Sequence, residues 1–200
     1  NRGLKSETYT DFYATDNYSG GTKGGERLAE ILNGKGKVIM LRYQDGSAST
    51  MNREQGFLDV LKEKYPDIEV VQVQHHDSQA SVTPRQAVDN MLTACPKGGL
   101  DAIWCAWDGA AQEGAQPIET AGRTGEIFTT GIDGGKHAFE VIKSGSPFKL
   151  TMAQSIYYMS YMCVDIAHKH LDGEQVPRFI ISPVYAVTRE TLDALAEELK

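Results

Sequence analysis

KVIMLRY at residues 37–43, then NREQGFLDVLKEKYP at 52–66 and IEVVQV at 68–73, decide how this chain folds. The first is a continuous apolar run, the pattern of a strand covered on both faces. The second places Phe57, Leu58, Leu61 and Tyr65 at helical spacing, and Pro66 ends it. The third alternates as a strand does. Strand, helix, strand in this order is a βαβ unit.

The unit repeats along the rest of the chain. Thr83 is set to cap a helix with Pro84 at its first position, opening PRQAVDNMLTAC. Ala102–Ala106 reads as a short buried strand, followed by Asp108 and a helix to Ala121 that Pro117 should bend or whose start it should displace. Ile127–Ile132 and Lys149–Ala153 read as strands around a helix at Lys136–Ser144. Tyr157–Leu171 reads as a long helix stopped at Gly173, Phe179–Val187 as one extended segment, and Arg189–Leu199 as a closing helix. A short extended piece near Thr8–Tyr13 precedes them all. Strands alternating with helices of this length predict an α/β fold, a doubly wound parallel sheet with helices on both faces.

Composition narrows the function. A net charge of −7 over 200 residues argues against a nucleic-acid partner, which would demand a basic face. No apolar run approaches the length of a membrane span. Cys95, Cys105 and Cys163 make an odd count with no C-x-x-C spacing, so no zinc or redox motif is suggested. A Cys95–Cys105 disulfide is possible in an oxidising compartment, but three buried free thiols are expected. The chain begins at Asn1 without an initiator Met, which predicts a removed leader or a start partway into a longer protein.

Ligands of open α/β sheets bind outside the carboxyl ends of the strands. At those ends stand Arg42, Tyr43, Gln44 and Asp45, with Asn52 and Arg53 on the next helix; then Trp107 and Asp108; then Asp133 in GIDGG; then Gln154. Carboxylates and amides bridge vicinal hydroxyls, arginine donates in a fork, and an aromatic face stacks on the C–H face of a sugar ring. Each residue also has a plain structural reading: Asp108 as a helix cap, Asp133 as a turn residue, Arg53 as a solvated helix arginine, Trp107 as core. Their shared placement is what points to a polyhydroxylated ligand.

Other motifs fail. Gly20-Gly21-Thr22-Lys23-Gly24-Gly25 lacks the residue order of a phosphate loop and reads as small residues packing a helix tightly against the sheet. His75-His76-Asp77 is a poor metal site, since adjacent histidines point to opposite sides of an extended chain. His168 and His170 read as surface residues. There is no nucleophile elbow and no Cys/His pairing, so no cofactor, no metal and no enzymatic activity are expected.

At these rim residues the chain resembles the type I periplasmic binding proteins, and among them the ribose-binding group. ATDNYSGG (14–21) looks like the segment where that family's chain first crosses between two lobes, and SASTMNREQGF (47–57) resembles the loop and helix whose arginine grips the sugar. NMLTACPKGGLDAIWCAWDGAAQEGAQPIETAGR (90–123) is similar to the family's helix-strand-helix, and TGIDGG (130–135) with MAQ (152–154) to the strand-end Asp and the Gln of the second crossing. The resemblance implies that Arg53, Asp133 and Gln154 contact ligand, and that Asn1 and Arg2 fall where the family commonly has an Asp-Arg pair. Asn1 departs from that Asp. Trp107 stands where the family usually has Asn, and Gln79 where an aromatic is common. Trp107 would then supply the stacking face, for a ligand that need not be ribose.

The resemblance also implies a division of the chain. Residues 1–16 are expected to be a remnant of the first lobe and 17–154 the second lobe. Residues 155–177 would be a helix belonging to the first lobe, and 178–200 a segment returning to the second. The helix carries Ile156, Tyr157, Met159, Tyr161, Met162 and Cys163, a face that would drive self-association if left uncovered. The implied function is that of a periplasmic receptor (lipid-anchored in a Gram-positive cell) that closes on a sugar or polyol and docks on an ABC transporter permease. A ligand-sensing domain of a chemotaxis or sensor-kinase system is the alternative, and a sugar-acting enzyme a more distant one.

Overall fold

The computed structural model describes residues 8–43, 47–76 and 82–194, and only the backbone of Gln74, His75 and His76. Six strands form the main sheet: β2 (Gly36–Tyr43), β3 (Ile68–His76), β4 (Ala102–Cys105), β5 (Phe128–Asp133), β6 (Phe148–Gln154) and β8 (Val184–Val187). Their order is β3-β2-β4-β5-β6-β8, parallel throughout except that β8 runs antiparallel to β6. The expected parallel sheet is therefore mixed at one edge. The order reverses between β2 and β4, which opens a crevice at the carboxyl ends of those two strands.

Helices cover both faces. On one side lie α1 (Asn17–Ile31) and α2 (Ala48–Lys64), whose Leu28, Phe57 and Leu61 pack on Val38, Met40, Trp104 and Met152. On the other lie α3 (Pro84–Ala94), α4 (Asp108–Thr120) and α5 (Lys136–Ser144), whose Val88, Ile118 and Ile142 pack on Ile39, Leu41 and Ile103. Successive residues of β2 and β4 alternate between the two layers, as the pleat requires. Trp104 is fully buried and stacks on Phe57 at 4.8 Å.

Local signals act where the sequence puts them. Asp16, Ser47 and Thr83 accept the backbone N–H of Ser19, Thr50 and Gln86, capping α1, α2 and α3. Pro117 sits inside α4 on its buried side. Gly145 and Gly173 take left-handed conformations just beyond α5 and α6 (Ile156–Leu171), at φ 89° and 85°.

Several expectations change. The extended segment at 179–187 is two strands, broken at Pro183, which has no N–H for the ladder. β7 (Phe179–Ser182) pairs in parallel with β1 (Phe12–Thr15) in a separate two-stranded ribbon, and only β8 joins the main sheet. β7 and β8 thus lie in different sheets. The closing helix is absent over its described part. Thr188 N–H donates to Thr191 Oγ1, a local bond that competes with helix, and only a 3-10 turn at Leu192–Ala194 follows. Residues 195–200, like Gln44, Asp45, Asp77 and Gln79, lie outside the described residues. Of the three cysteines, all free, only Cys105 is buried, and Cys163 is exposed.

The glycine-rich stretch packs on the sheet, as expected, and also, more tightly, on a neighbouring helix. A Cβ at Gly21 would fall 1.9 Å from the Arg53 carbonyl oxygen, and one at Gly56 2.2 Å from the Tyr18 carbonyl oxygen. Gly25 meets Val60 and Phe57 of α2, whereas Gly24, beside Met152, and Gly20, beside Val184, face the strands β6 and β8. The α1 and α2 backbones touch because neither has side chains in the way. Gly21→Ala should therefore lower stability by at least ~2 kcal/mol through overpacking against backbone that cannot yield. Gly125→Ala, in open space, should stay within about 0.5 kcal/mol. Urea unfolding of both variants reads the difference.

Candidate functional site

At the carboxyl ends of β4 and β5 one side chain gathers the polar groups. Arg53, in the second turn of α2 and buried, is held there by the glycine contact between α1 and α2. Its Nε donates to Asn17 Oδ1 at 2.9 Å. Its Nη1 donates to the Ala106 carbonyl at the end of β4 at 2.7 Å and reaches Asp133 Oδ1 at 3.4 Å. Nη2 makes no hydrogen bond among the described residues.

From Asp133, the last residue of β5, the network continues to β6 and β1. Gln154 Nε2 donates to Asp133 Oδ1 at 2.8 Å, and Thr15 Oγ1 donates to Gln154 Oε1 at 2.5 Å. The Asn17 amide closes the circuit by donating to the Thr15 carbonyl at 3.2 Å. Five side chains from β1, α1, α2, β5 and β6 are thereby fixed to one another. Asp133 remains the accessible member, with 36% of its side chain exposed against 9% for Arg53. Such a carboxylate can accept hydrogen bonds from hydroxyls, while a pinned guanidinium and an amide set its orientation.

Burial acts on both charges. It pulls the Arg53 guanidinium below its ordinary value, opposed by Asp133 and Asp108. It raises the Asp133 carboxyl above its ordinary value, opposed by Arg53, the Asp108 backbone and Gln154. Each charge offsets part of the other's desolvation.

The remaining expected residues take different places. Trp107 is the N-cap residue of α4, half-buried, with its ring edge-on to Tyr43 at 4.7 Å. Asp108 opens α4 but is turned inward: Thr151 Oγ1 donates to its Oδ1 at 2.6 Å and the Gly134 N–H to its Oδ2 at 2.8 Å. Asn1 and Arg2 lie outside the described residues. Arg42 at the end of β2 pairs with the buried Glu54 at 2.6 Å, and Asn52 is exposed. Thr15 and Asn17 were not singled out from sequence, although a polar residue opening a helix directly after a strand is a usable signal.

Beside the network lies a cleft of about 320 Å³, whose lining includes Thr15, Asn17 and Asn52 together with Phe179 and Ile181 of β7. A hollow of similar volume, lined by Ile142, Lys149 and Arg189, lies at the amino end of β6 and holds none of the network residues. Among the described residues, no group of three His, Cys, Asp or Glu is close enough to hold a metal ion. No described helix is long and apolar enough to cross a membrane.

Comparison with known proteins adds the family. The sequence model of the periplasmic binding protein domain matches residues 1–175. A xylitol-binding protein of Mycolicibacterium smegmatis is 26% identical over 92% of this chain and 51% of its own length. The D-allose-binding periplasmic protein of Escherichia coli is 30% identical over 72% of this chain and 45% of its own. The crystal structure of a periplasmic solute-binding protein of an ABC transporter from Actinobacillus succinogenes, with bound D-allose, superposes with a TM-score of 0.82 at 28% identity. It covers 92% of this chain and 64% of that one. This chain spans about half the length of the curated relatives it matches.

Replacing Arg53 by Met should remove three hydrogen bonds and leave Asp133 without its cation. A loss of roughly 2 kcal/mol is expected, discounted from the cost of breaking a fully buried pair because Asp133 is partly solvated. Chemical denaturation at neutral pH measures it, and an unchanged midpoint would show that the network adds nothing to stability.

Proposed function

This chain belongs to the periplasmic binding protein domain family, and from that premise we propose that it is the greater part of a receptor for a sugar or polyol, serving an ABC importer outside the cytoplasmic membrane. The observation that carries the reading is the circuit Thr15–Gln154–Asp133–Arg53–Asn17 at the carboxyl ends of the strands, with Trp107 beside it. An accessible carboxylate held by a pinned arginine accepts hydrogen bonds from hydroxyls, and the Trp107 ring offers a face for the apolar side of a sugar. The relatives named for xylitol and D-allose support the ligand class.

Residues 17–154 and the returning β8 form the lobe that carries this site. The β1–β7 ribbon and α6 belong to the opposing lobe, so the chain crosses at Thr15–Asp16, at Gln154–Ser155 and at Pro183. Support comes from α6 itself, where Ile156, Tyr157, Tyr161, Val164 and Leu171 are exposed and Ile166 alone is buried. A first lobe would cover that face; without cover it would drive self-association. Closure of the two lobes then encloses the ligand and presents both to a permease.

A thermal-shift screen against pentoses, hexoses and polyols tests the reading. A ligand at a hundred times its dissociation constant adds about 2.7 kcal/mol of stability. One sugar class should raise the melting temperature, and Asp133→Ala should abolish the rise. A panel without effect on the unmutated protein would overturn the carbohydrate assignment.

A further inference from the structure

Asp108 is a buried carboxyl that the binding circuit does not use, and its surroundings are built around it. Gly131 on β5 lies so close that a Cβ there would fall 2.6 Å from Asp108 Oδ1. Gly134 takes φ 77°, and a Cβ on it would fall 2.3 Å from that of Ala153, so only glycine turns the chain there and aims its N–H at Asp108. The carboxyl joins α4 to β6 through Thr151 and to the loop after β5 through Gly134. That loop begins at Asp133, and the Asp108 backbone in turn interacts with the Asp133 carboxylate.

We propose that Asp108 is a positioning residue for Asp133: its inward carboxyl fixes the loop that carries Asp133, and its gain or loss of a proton changes the charge Asp133 and Arg53 must balance. This rests on the binding reading above and extends it to regulation of the same site. The titratable groups that face Asp108 are Asp133 from β5, Arg53 from α2 and Cys105 from β4. Cys105 is pushed up by burial and stays a neutral thiol. The cluster therefore holds one cation and two carboxyls. With Asp108 neutral, Asp133 and Arg53 are a balanced pair; with Asp108 ionised, the cluster carries a net negative charge.

Burial first, and then Asp133, push Asp108 up to about 7, against the hydrogen bonds from Thr151, Gly134 and Gly135. The sign of the linkage follows. A carboxyl raised on folding favours the folded state at low pH, and this contribution is lost as pH rises from the ordinary carboxylate range through about 7. A water-excluding ligand laid over Asp133 raises the penalty on a net charge beneath it. Binding then favours the protonated form, and affinity falls as pH rises through neutrality.

The test needs no ligand for its first half. In the whole chain, the amide signal of Gly134 and the carboxyl carbon of Asp133 are followed by NMR from pH 5.5 to 8.5. Both should shift with a midpoint near 7; Asp108→Asn should remove that transition and Thr151→Val should move it upward. A flat Gly134 or Asp133 signal, or a transition that survives Asp108→Asn, overturns the proposal. Calorimetry with D-allose, D-ribose and xylitol supplies the second half. Affinity should drop about five-fold between pH 6 and pH 8, the low end of ordinary coupling, and stay level in Asp108→Asn. Equal pH dependence in both proteins also overturns it. If none of the three ligands binds at any pH, the receptor reading is decided by the wider panel, and the NMR titration alone decides for or against Asp108.

Discussion

The approach of α1 to α2 at Gly21, Gly25 and Gly56 sets the rest of the geometry. Where Gly21 faces the Arg53 carbonyl, the two backbones are nearer than any side chain would allow. That contact brings the first residue of α1, Asn17, to the Nε of Arg53 and presses the guanidinium over the end of β4. The site is thus a product of helix packing before it is a product of charge. A larger residue on α1 would move a binding arginine without touching it, because interiors transmit displacement rather than absorb it.

Charge comes second and is arranged with economy. One guanidinium stands among two carboxyls in a region largely withdrawn from water, an arrangement that desolvation penalises unless each charge has a partner. Asp133 faces the opening and Asp108 faces inward, although both sit at strand ends. The difference arises in the backbone, since Gly131 and Gly134 make room for the inner carboxyl while Gln154 and Arg53 hold the outer one. Two aspartates of the same kind are separated in role by what surrounds them.

Much of this was legible in the sequence, and the rest was hidden for definite reasons. The strands at 37–43, 68–73 and 102–106 and their helices follow from periodicity and caps, so fold class and the strand-end location of Arg53, Asp133 and Gln154 were readable. The inward turn of Asp108 was not, because it depends on Gly131, which is far away in sequence and carries no signal of its own. The glycine run reads as a packing device against the sheet, which Gly20 and Gly24 bear out, but the closer contact of Gly21 and Gly25 with a second helix has no local pattern to reveal it. Splitting of 179–187 was signalled by Pro183 and overlooked. The 3-10 turn after β8 reflects the Thr188–Thr191 bond prevailing over helix propensity. Asn17 was missed because one polar residue at a helix start is ordinary until its partner is known.

The two tryptophans of the chain occupy opposite situations. Trp104 lies dry between the sheet and α2, stacked on Phe57, whereas Trp107 caps α4 at the rim with its ring against Tyr43. Their intrinsic fluorescence is therefore already sorted by location. Trp104, dry in the core, should emit to the blue and report whether the core is intact, and half-buried Trp107 should emit further to the red and report what stands at the strand ends. Trp107→Phe leaves a protein whose remaining emission follows unfolding alone, so the difference between the two spectra isolates the environment of the rim without an added dye or label.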